Sequence, residues 1–161
     1  MSEIHTAAEN GDLESVLALL RSGADIESED ESGDTPLRAA AAAGHIDIVK
    51  ALIEHGANVN AAEESELYTA LMAASVNGHV DIVRLLLNHG ADVNARDDYD
   101  ATSLTRAAEY GYVEIVRLLL ESGADTSVRE ERGMTALELA ESGGHYEVVS
   151  LISDHIKSQW R

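Results

Sequence analysis

Residues 78–94 read GHVDIVRLLLNHGADVN, and the two ends of this stretch return along the chain at a fixed period. The opening, GHVDIV from Gly78, reappears as GDLESV from Gly11, GHIDIV from Gly44, GYVEIV from Gly111 and GHYEVV from Gly144, at intervals of 33, 34, 33 and 33 residues. The close, HGADV from His89, reappears as SGADI from Ser22, HGANV from His55 and SGADT from Ser122. A third string stands in phase with both: Thr35-Pro36-Leu37, Thr69-Ala70-Leu71, Thr102-Ser103-Leu104 and Thr135-Ala136-Leu137. Nine of the twelve glycines occupy the first two anchors, so glycine here answers a positional need rather than a general looseness. Interleaved strings at one such period mark a repeat architecture.

Each unit reads as helix, turn, helix. The Thr supplies an N-cap, and Pro36 stands at the first helical position, where its missing N–H has no bond to lose. The alanine-rich run after it lets backbones approach closely. Gly44, Gly78, Gly111 and Gly144 end this first helix by taking left-handed dihedrals cheaply. The second helix starts at once, with Asp47, Asp81, Glu114 or Glu147 in its first turn to suit the dipole. Its apolar positions, Val80, Ile82, Val83, Leu86 and Leu87 in the third unit, form a broad stripe. Gly23, Gly56, Gly90 and Gly123 close it.

Composition narrows the chemistry. The chain has 161 residues and no cysteine, which removes disulfides, thiolate metal sites, Fe–S clusters and a Cys nucleophile. Thirty Asp and Glu against eleven Lys and Arg give a net charge of −19, which repels nucleic-acid phosphates and anionic membranes. High charge alone would suggest disorder, but 45% hydrophobic content in strict period argues against it. With no Phe and one Trp, the core must be Leu, Ile, Val and Ala, which suits packed helices. No apolar run approaches the roughly 20 residues that span a bilayer, and the N-terminus lacks the order of a signal peptide. A cytoplasmic setting is expected, with the nucleus as the alternative.

The whole chain resembles the ankyrin repeat family, on its 33-residue period, Thr-Pro-Leu start, internal Gly-His and Gly-Ala-Asp-Val-Asn close. The resemblance implies an all-α solenoid of stacked helix-turn-helix units with β-hairpin or turn fingers. One domain, 1–161, then holds five units at approximately 1–27, 28–61, 62–95, 96–128 and 129–161, the outer two as caps. Nearest-neighbour coupling holds such an array together. In the last unit Ile156 replaces the helix-ending glycine, so the final helix is expected to run to about Gln159, with Trp160 just beyond.

Catalytic and metal readings find little support. His45, His79 and His145 share one repeat position, and His55 and His89 another, so packing distances of roughly 8–10 Å keep them from converging on one ion. His45, His79 and His145, each beside a helix-ending glycine, are expected to satisfy backbone groups at the loop instead. No Gly-x-Ser-x-Gly elbow or phosphate-binding loop occurs. The acidic run from Glu27 to Asp34 lacks the alternation of a calcium loop. Neither cofactor, metal nor enzymatic activity is expected.

Residues that break the repeat pattern carry the functional signal. In ankyrin proteins the partner lies along the finger tips and the inner face of the first helices. Carried over position by position, that face comprises Asp34, Arg38, Glu66, Tyr68, Met72, Val76, Tyr99, Thr105, Glu109, Tyr110, Met134 and Glu138. Tyr68, Met72, Val76, Tyr99 and Tyr110 gather in the central units, and tyrosines suit interface anchors. Tyr146 matches Ile46, Val80 and Val113 and is assigned to the core. Arg106, in place of a small or aliphatic residue, is expected to reach an acid such as Glu109 at the i,i+3 spacing or to snorkel past the core edge. Gly33 and Gly133 take a turn position held by Leu67 and Asp100 in the middle units, whose fingers are therefore expected to bend differently. The leading reading is a monomeric, non-catalytic module that binds a protein partner bearing basic residues, without nucleic acid or membrane. An engineered scaffold without a natural partner is the first alternative. Drift at Ser75 and Arg106 argues against a plain consensus design. The second alternative is a substrate of an ankyrin asparaginyl hydroxylase at Asn94, with Asn60 the weaker match. Against it, both side chains are expected to bond turn backbone.

Overall fold

The computed structural model describes residues 3–62 and 67–160. Ten α-helices pair in chain order: α1 (Glu3–Asn10) with α2 (Leu13–Arg21), α3 (Pro36–Ala43) with α4 (Ile46–Glu54), and α5 (Ala70–Val76) with α6 (Val80–Asn88). Next come α7 (Ser103–Tyr110) with α8 (Val113–Glu121), and α9 (Ala136–Gly143) with α10 (Tyr146–Gln159). First helices stack on first helices, and second helices on second helices. Among the described residues there is no β-strand, only an isolated antiparallel bridge between Ala62 and Thr69. The described fingers are turns.

Each internal first helix begins the same way. Thr35, Thr69, Thr102 and Thr135 sit in extended backbone, and each hydroxyl accepts the amide three residues on, at 3.3 Å. That satisfies one of the donors a helix start leaves open. The apolar faces then close on one another. Leu37, Leu71 and Leu104 from the first helices and Ile48, Leu52, Ile82, Leu86, Ile115 and Leu119 from the second are almost fully buried. Ala40, Ala41, Ala74, Ala107 and Ala108 keep the first helices close together.

The junction within each unit involves its neighbour. Gly11, Gly44, Gly78 and Gly111 all have positive φ. A Cβ added to Gly11, Gly44 and Gly78 would lie 2.8, 2.7 and 3.1 Å from the rings of His45, His79 and Tyr112, and one on Gly111 would run into His145, the ring coming each time from the next unit. Those histidines turn Nε2 to a carbonyl of the preceding first helix: His45 to Glu9 at 2.9 Å, His79 to Ala42 at 3.0 Å, His145 to Glu109 at 2.9 Å. A carbonyl only accepts, so Nε2 carries the proton in each.

A second ladder runs between the loops after the second helices. Glu27 accepts the amide of Asn58 at 2.6 Å, Asn60 that of Asp92 at 2.7 Å, and Asn94 that of Asp125 at 2.8 Å. Asn60 and Asn94 also donate to the carbonyls of Gly90 and Gly123. Both asparagines thus bond turn backbone of the following unit.

Three expectations need correction. Tyr146 is 83% exposed rather than in the core. Its repeat position is only partly covered by a following pair, since Ile46 is still 39% exposed beside His79 and Val80, and no described pair follows α10. Leu67 and Asp100 adopt φ of 53° and 56°, as left-handed as Gly33 and Gly133 at 76° and 78°. The four units therefore share a left-handed residue at this position, with a cost of about 1 kcal/mol where it has a Cβ. The amides of Gly33, Asp100 and Gly133 close the turn onto the carbonyls of Asp30, Asp97 and Glu130, which imposes the shared geometry. Finally, Arg106 does reach an acid, but it is Asp97 of the finger rather than Glu109. The final helix does extend to Gln159, leaving Trp160 87% exposed.

Two stability outcomes follow. Gly111 and Gly123 share a left-handed φ, but only Gly111 has a ring against it. Gly123→Ala is expected to cost about 1 kcal/mol and Gly111→Ala clearly more, since His145 must also move. Urea melts of both compare them directly, and equal losses would show that the ring contact is energetically idle. The buried Ser75 hydroxyl has no hydrogen-bond partner, whereas its repeat equivalents Ala41 and Ala108 have no polar group to satisfy. Ser75→Ala is expected to raise stability by about 1 kcal/mol in the same assay.

Candidate functional site

Fingers and first helices share one face, as the ion pairs between them establish. In the fourth unit, Asp97 at the finger accepts the amides of Tyr99 and Ala101, both at 2.9 Å, through one carboxylate oxygen. Its other oxygen takes Arg106 of α7 at 2.7 Å. Arg106 thus pairs with Asp97, not Glu109, because the finger folds a nearly buried carboxylate over the helix. Burial opposes the charge on Arg106, but Asp97 outweighs it and holds the guanidinium more firmly protonated. In the fifth unit, Arg132 bridges Glu130 and Glu109, each at 2.9 Å, and both carboxylates raise its pKa. In the second unit, Arg38 pairs with Asp34, donates to the carbonyl of Tyr68 at 3.1 Å and lies 5.7 Å from that ring's centre.

The twelve sequence-derived positions fall into distinct groups. Tyr99 and Tyr110 are exposed, at 48% and 53%. Asp34, Tyr68, Val76, Glu109, Met134 and Glu138 are half-buried. Glu66 lies outside the described residues. Arg38, Met72 and Thr105 are buried, which corrects their placement on an accessible surface. They share one repeat position, and each is used internally. Arg38 serves the ion pair above, Met72 is fully enclosed in the stack, and Thr105 forms a reciprocal capping box with Thr102.

The tyrosines come together in part. Burial raises the Tyr68 phenol's pKa, and Arg106, Asp97, Arg38 and Tyr110 all act on it, so Tyr68 belongs to the same neighbourhood as the fourth unit's residues. The Tyr110 ring stacks on Tyr112, centroids 5.9 Å apart and planes 19° from parallel. A cleft of about 370 Å³ lies between the fourth and fifth fingers, with Tyr99 and Tyr110 in its lining. A roomier cavity, about 620 Å³, lies elsewhere, against α1 and α2, and includes none of the twelve positions.

Charge on this face departs from a plain acidic surface. Arg38, Arg106, Arg129 and Arg132, four of the eleven basic residues, pair there with Asp34, Asp97, Glu138, Glu109 and Glu130. Sequence reasoning passed over Asp97, Glu130, Glu131 and Arg132. A signal existed, since Asp30, Glu64, Asp97 and Glu130 all stand five residues before the helix-capping Thr. Among the described residues, the carboxyls whose titration shifts are all lowered: Asp12 and Asp125 by hydrogen bonds from Ser15 and Ser127, and Glu138 by Thr135 and Arg129. Glu130 is lowered too, where burial pushes upward but Arg132 and the Met134 amide prevail. A general acid needs the opposite shift. Every histidine is hydrogen-bonded, and no group of three or more metal-ligating residues occurs among the described residues.

A family model for ankyrin repeats in three copies matches residues 4–97, and one for ankyrin repeats in many copies matches 92–140. The chain belongs to the ankyrin repeat family. Comparison with curated proteins finds no match. Ankyrin repeats are generally protein–protein interaction modules and typically non-catalytic. In this ankyrin array no described helix is long and apolar enough to cross a membrane.

The Glu138 carboxylate accepts the Thr135 amide at 2.7 Å and Arg129 at 2.9 Å. Because its folded pKa is depressed, its contribution is complete above the ordinary carboxylate range and is lost as pH falls through the lowered value. Glu138→Gln keeps a capping side chain but not the charge. It is expected to melt below the parent at pH 7, with the gap closing below about pH 4. A gap unchanged across that range in thermal melts would contradict the assignment.

Proposed function

We propose that this chain is a non-catalytic recognition module that binds a protein partner on the face formed by its fingers and first helices, acting as a monomer. The observation that carries the reading is the cluster of Tyr68, Tyr99 and Tyr110 beside the Arg–carboxylate pairs of the fourth and fifth units. Elsewhere the repeat's polar side chains are largely committed to the scaffold, in capping boxes, histidine bonds and the loop ladder. Tyr99 and Tyr110 stay about half exposed, Tyr110 against Tyr112, and Tyr68 lies half-buried beside Arg38. Amphipathic rings at half-exposed positions offer large contact area for few frozen torsions.

The net charge of −19 favours encounter with a partner bearing basic residues. The inner row of carboxylates is already paired, so steering falls to exposed finger acids such as Glu29, Asp98 and Glu131. The same face serves a natural module or an engineered scaffold shaped to one target. Asn94 is less apt as a hydroxylase substrate, because its amide is bonded to the following unit on both sides.

The test pairs this chain with its Tyr68/Tyr99/Tyr110 triple Ala variant as baits at low and moderate salt. Loss of captured proteins by a variant that still melts cooperatively is the expected result. Identical capture by both baits would place binding off this face.

A further inference from the structure

The cleft between the fourth and fifth fingers has a chemistry of its own. It encloses about 370 Å³, with Tyr99 and Tyr110 contributed by the fourth unit and Glu130, Glu131 and Arg132 by the fifth. Its walls are set before anything binds. The Glu131 amide donates to the Tyr99 carbonyl at 2.9 Å, joining the two fingers. Arg132 ties the fifth finger to Glu109 of α7 at 2.9 Å, and the Tyr110 ring is backed by Tyr112.

The charges around it do not cancel. Arg132 is shared between Glu130 and Glu109, and Arg106 is committed to Asp97. Glu131, exposed and lining the same cleft, makes no ion pair with a described residue. Two guanidiniums thus face four carboxylates, and the excess is negative. The accessible rings, 48% and 53% exposed, add electron-rich faces.

We propose that this cleft takes up a basic side chain, lysine or arginine, of the partner protein. The aliphatic stem packs along Tyr99 and Tyr110 while the charged head meets Glu131 and the ring faces. A carboxylate would be repelled by the excess charge, and an uncharged side chain would leave Glu131 without a counter-ion. The inference rests on the binding-face reading and adds to it one pocket and one chemistry.

The test is an NMR titration of the full chain with Ac-Gly-Lys-Gly-NH2 and Ac-Gly-Arg-Gly-NH2, with the norleucine tripeptide as neutral control. The ring signals of Tyr99 and Tyr110 are followed, and Tyr146, 83% exposed and outside the cleft, reports non-specific contact. Saturable shifts at Tyr99 and Tyr110 are expected from the cationic peptides, with the norleucine peptide about fivefold weaker or worse. Tyr110→Ala should abolish the Tyr99 shift, and Glu131→Gln should weaken binding about threefold without altering the melting curve. Equal response to norleucine, or shifts no larger than at Tyr146, would overturn the proposal. If that happens while the triple-tyrosine variant still loses its captured proteins, the pocket is refuted and the binding face stands. Loss of neither protein capture nor peptide binding in the respective variants would remove both.

Discussion

The whole array hangs on a contact between a glycine and a ring. At Gly11, Gly44, Gly78 and Gly111 the chain must leave a helix with positive φ, and the next unit must lay a ring where a Cβ would stand. Either demand alone favours glycine, and together they leave no substitute. The junction also aims the histidine Nε2 at a carbonyl of the preceding first helix, satisfying an acceptor near a helix end. Helix termination, inter-unit spacing and polar satisfaction are thereby solved at one place. The departure at Gly78 is instructive. There Tyr112 supplies the ring, the carbonyl bond is given up, and the ring backs Tyr110 on the finger face instead.

Most of the scaffold was legible from the chain because its determinants are local and repeated. The Thr caps, Pro36 at the helix start, the glycines and the run of α10 past Ile156 each follow from a residue and its immediate neighbours. What escaped depends on the neighbouring unit. Tyr146 matches Ile46, Val80 and Val113 by register, but that position is only partly covered inside the array, and no described pair follows α10. Met72 and Thr105 sit on the expected elements yet face inward, which register alone does not reveal. Asp100 accepts a left-handed conformation because the turn's hydrogen bonding outweighs its preference, and Leu67 takes the same φ region at the equivalent position.

The candidate site was legible only as a list of tyrosines. Tyr68, Tyr99 and Tyr110 announced themselves by breaking the pattern, whereas Asp97 and Glu130 stayed hidden because they keep it. An acid that recurs at one turn position looks like scaffold, and part of its work is scaffold: it caps the turn amides. In the fourth and fifth units the same carboxylate also holds an arginine, so the surface chemistry grows from a structural residue. A net charge spread over a sequence therefore says little about the local field, since arginines collect where the fingers meet the helices.

The loop ladder has a direction. Glu27, Asn60 and Asn94 each reach forward to an amide of the following unit, and none reaches back. Any unit with a suitable acceptor side chain fits before any unit with a free amide, so along this edge the units are interchangeable parts. The finger edge is otherwise. Arg38 is matched to the Tyr68 carbonyl, and Arg132 to Glu109, by side chains that occur once. Duplication or shuffling of units would pass unnoticed along the ladder and be felt at once among the fingers. The order of the units, and with it whatever history assembled them, is recorded on that one edge.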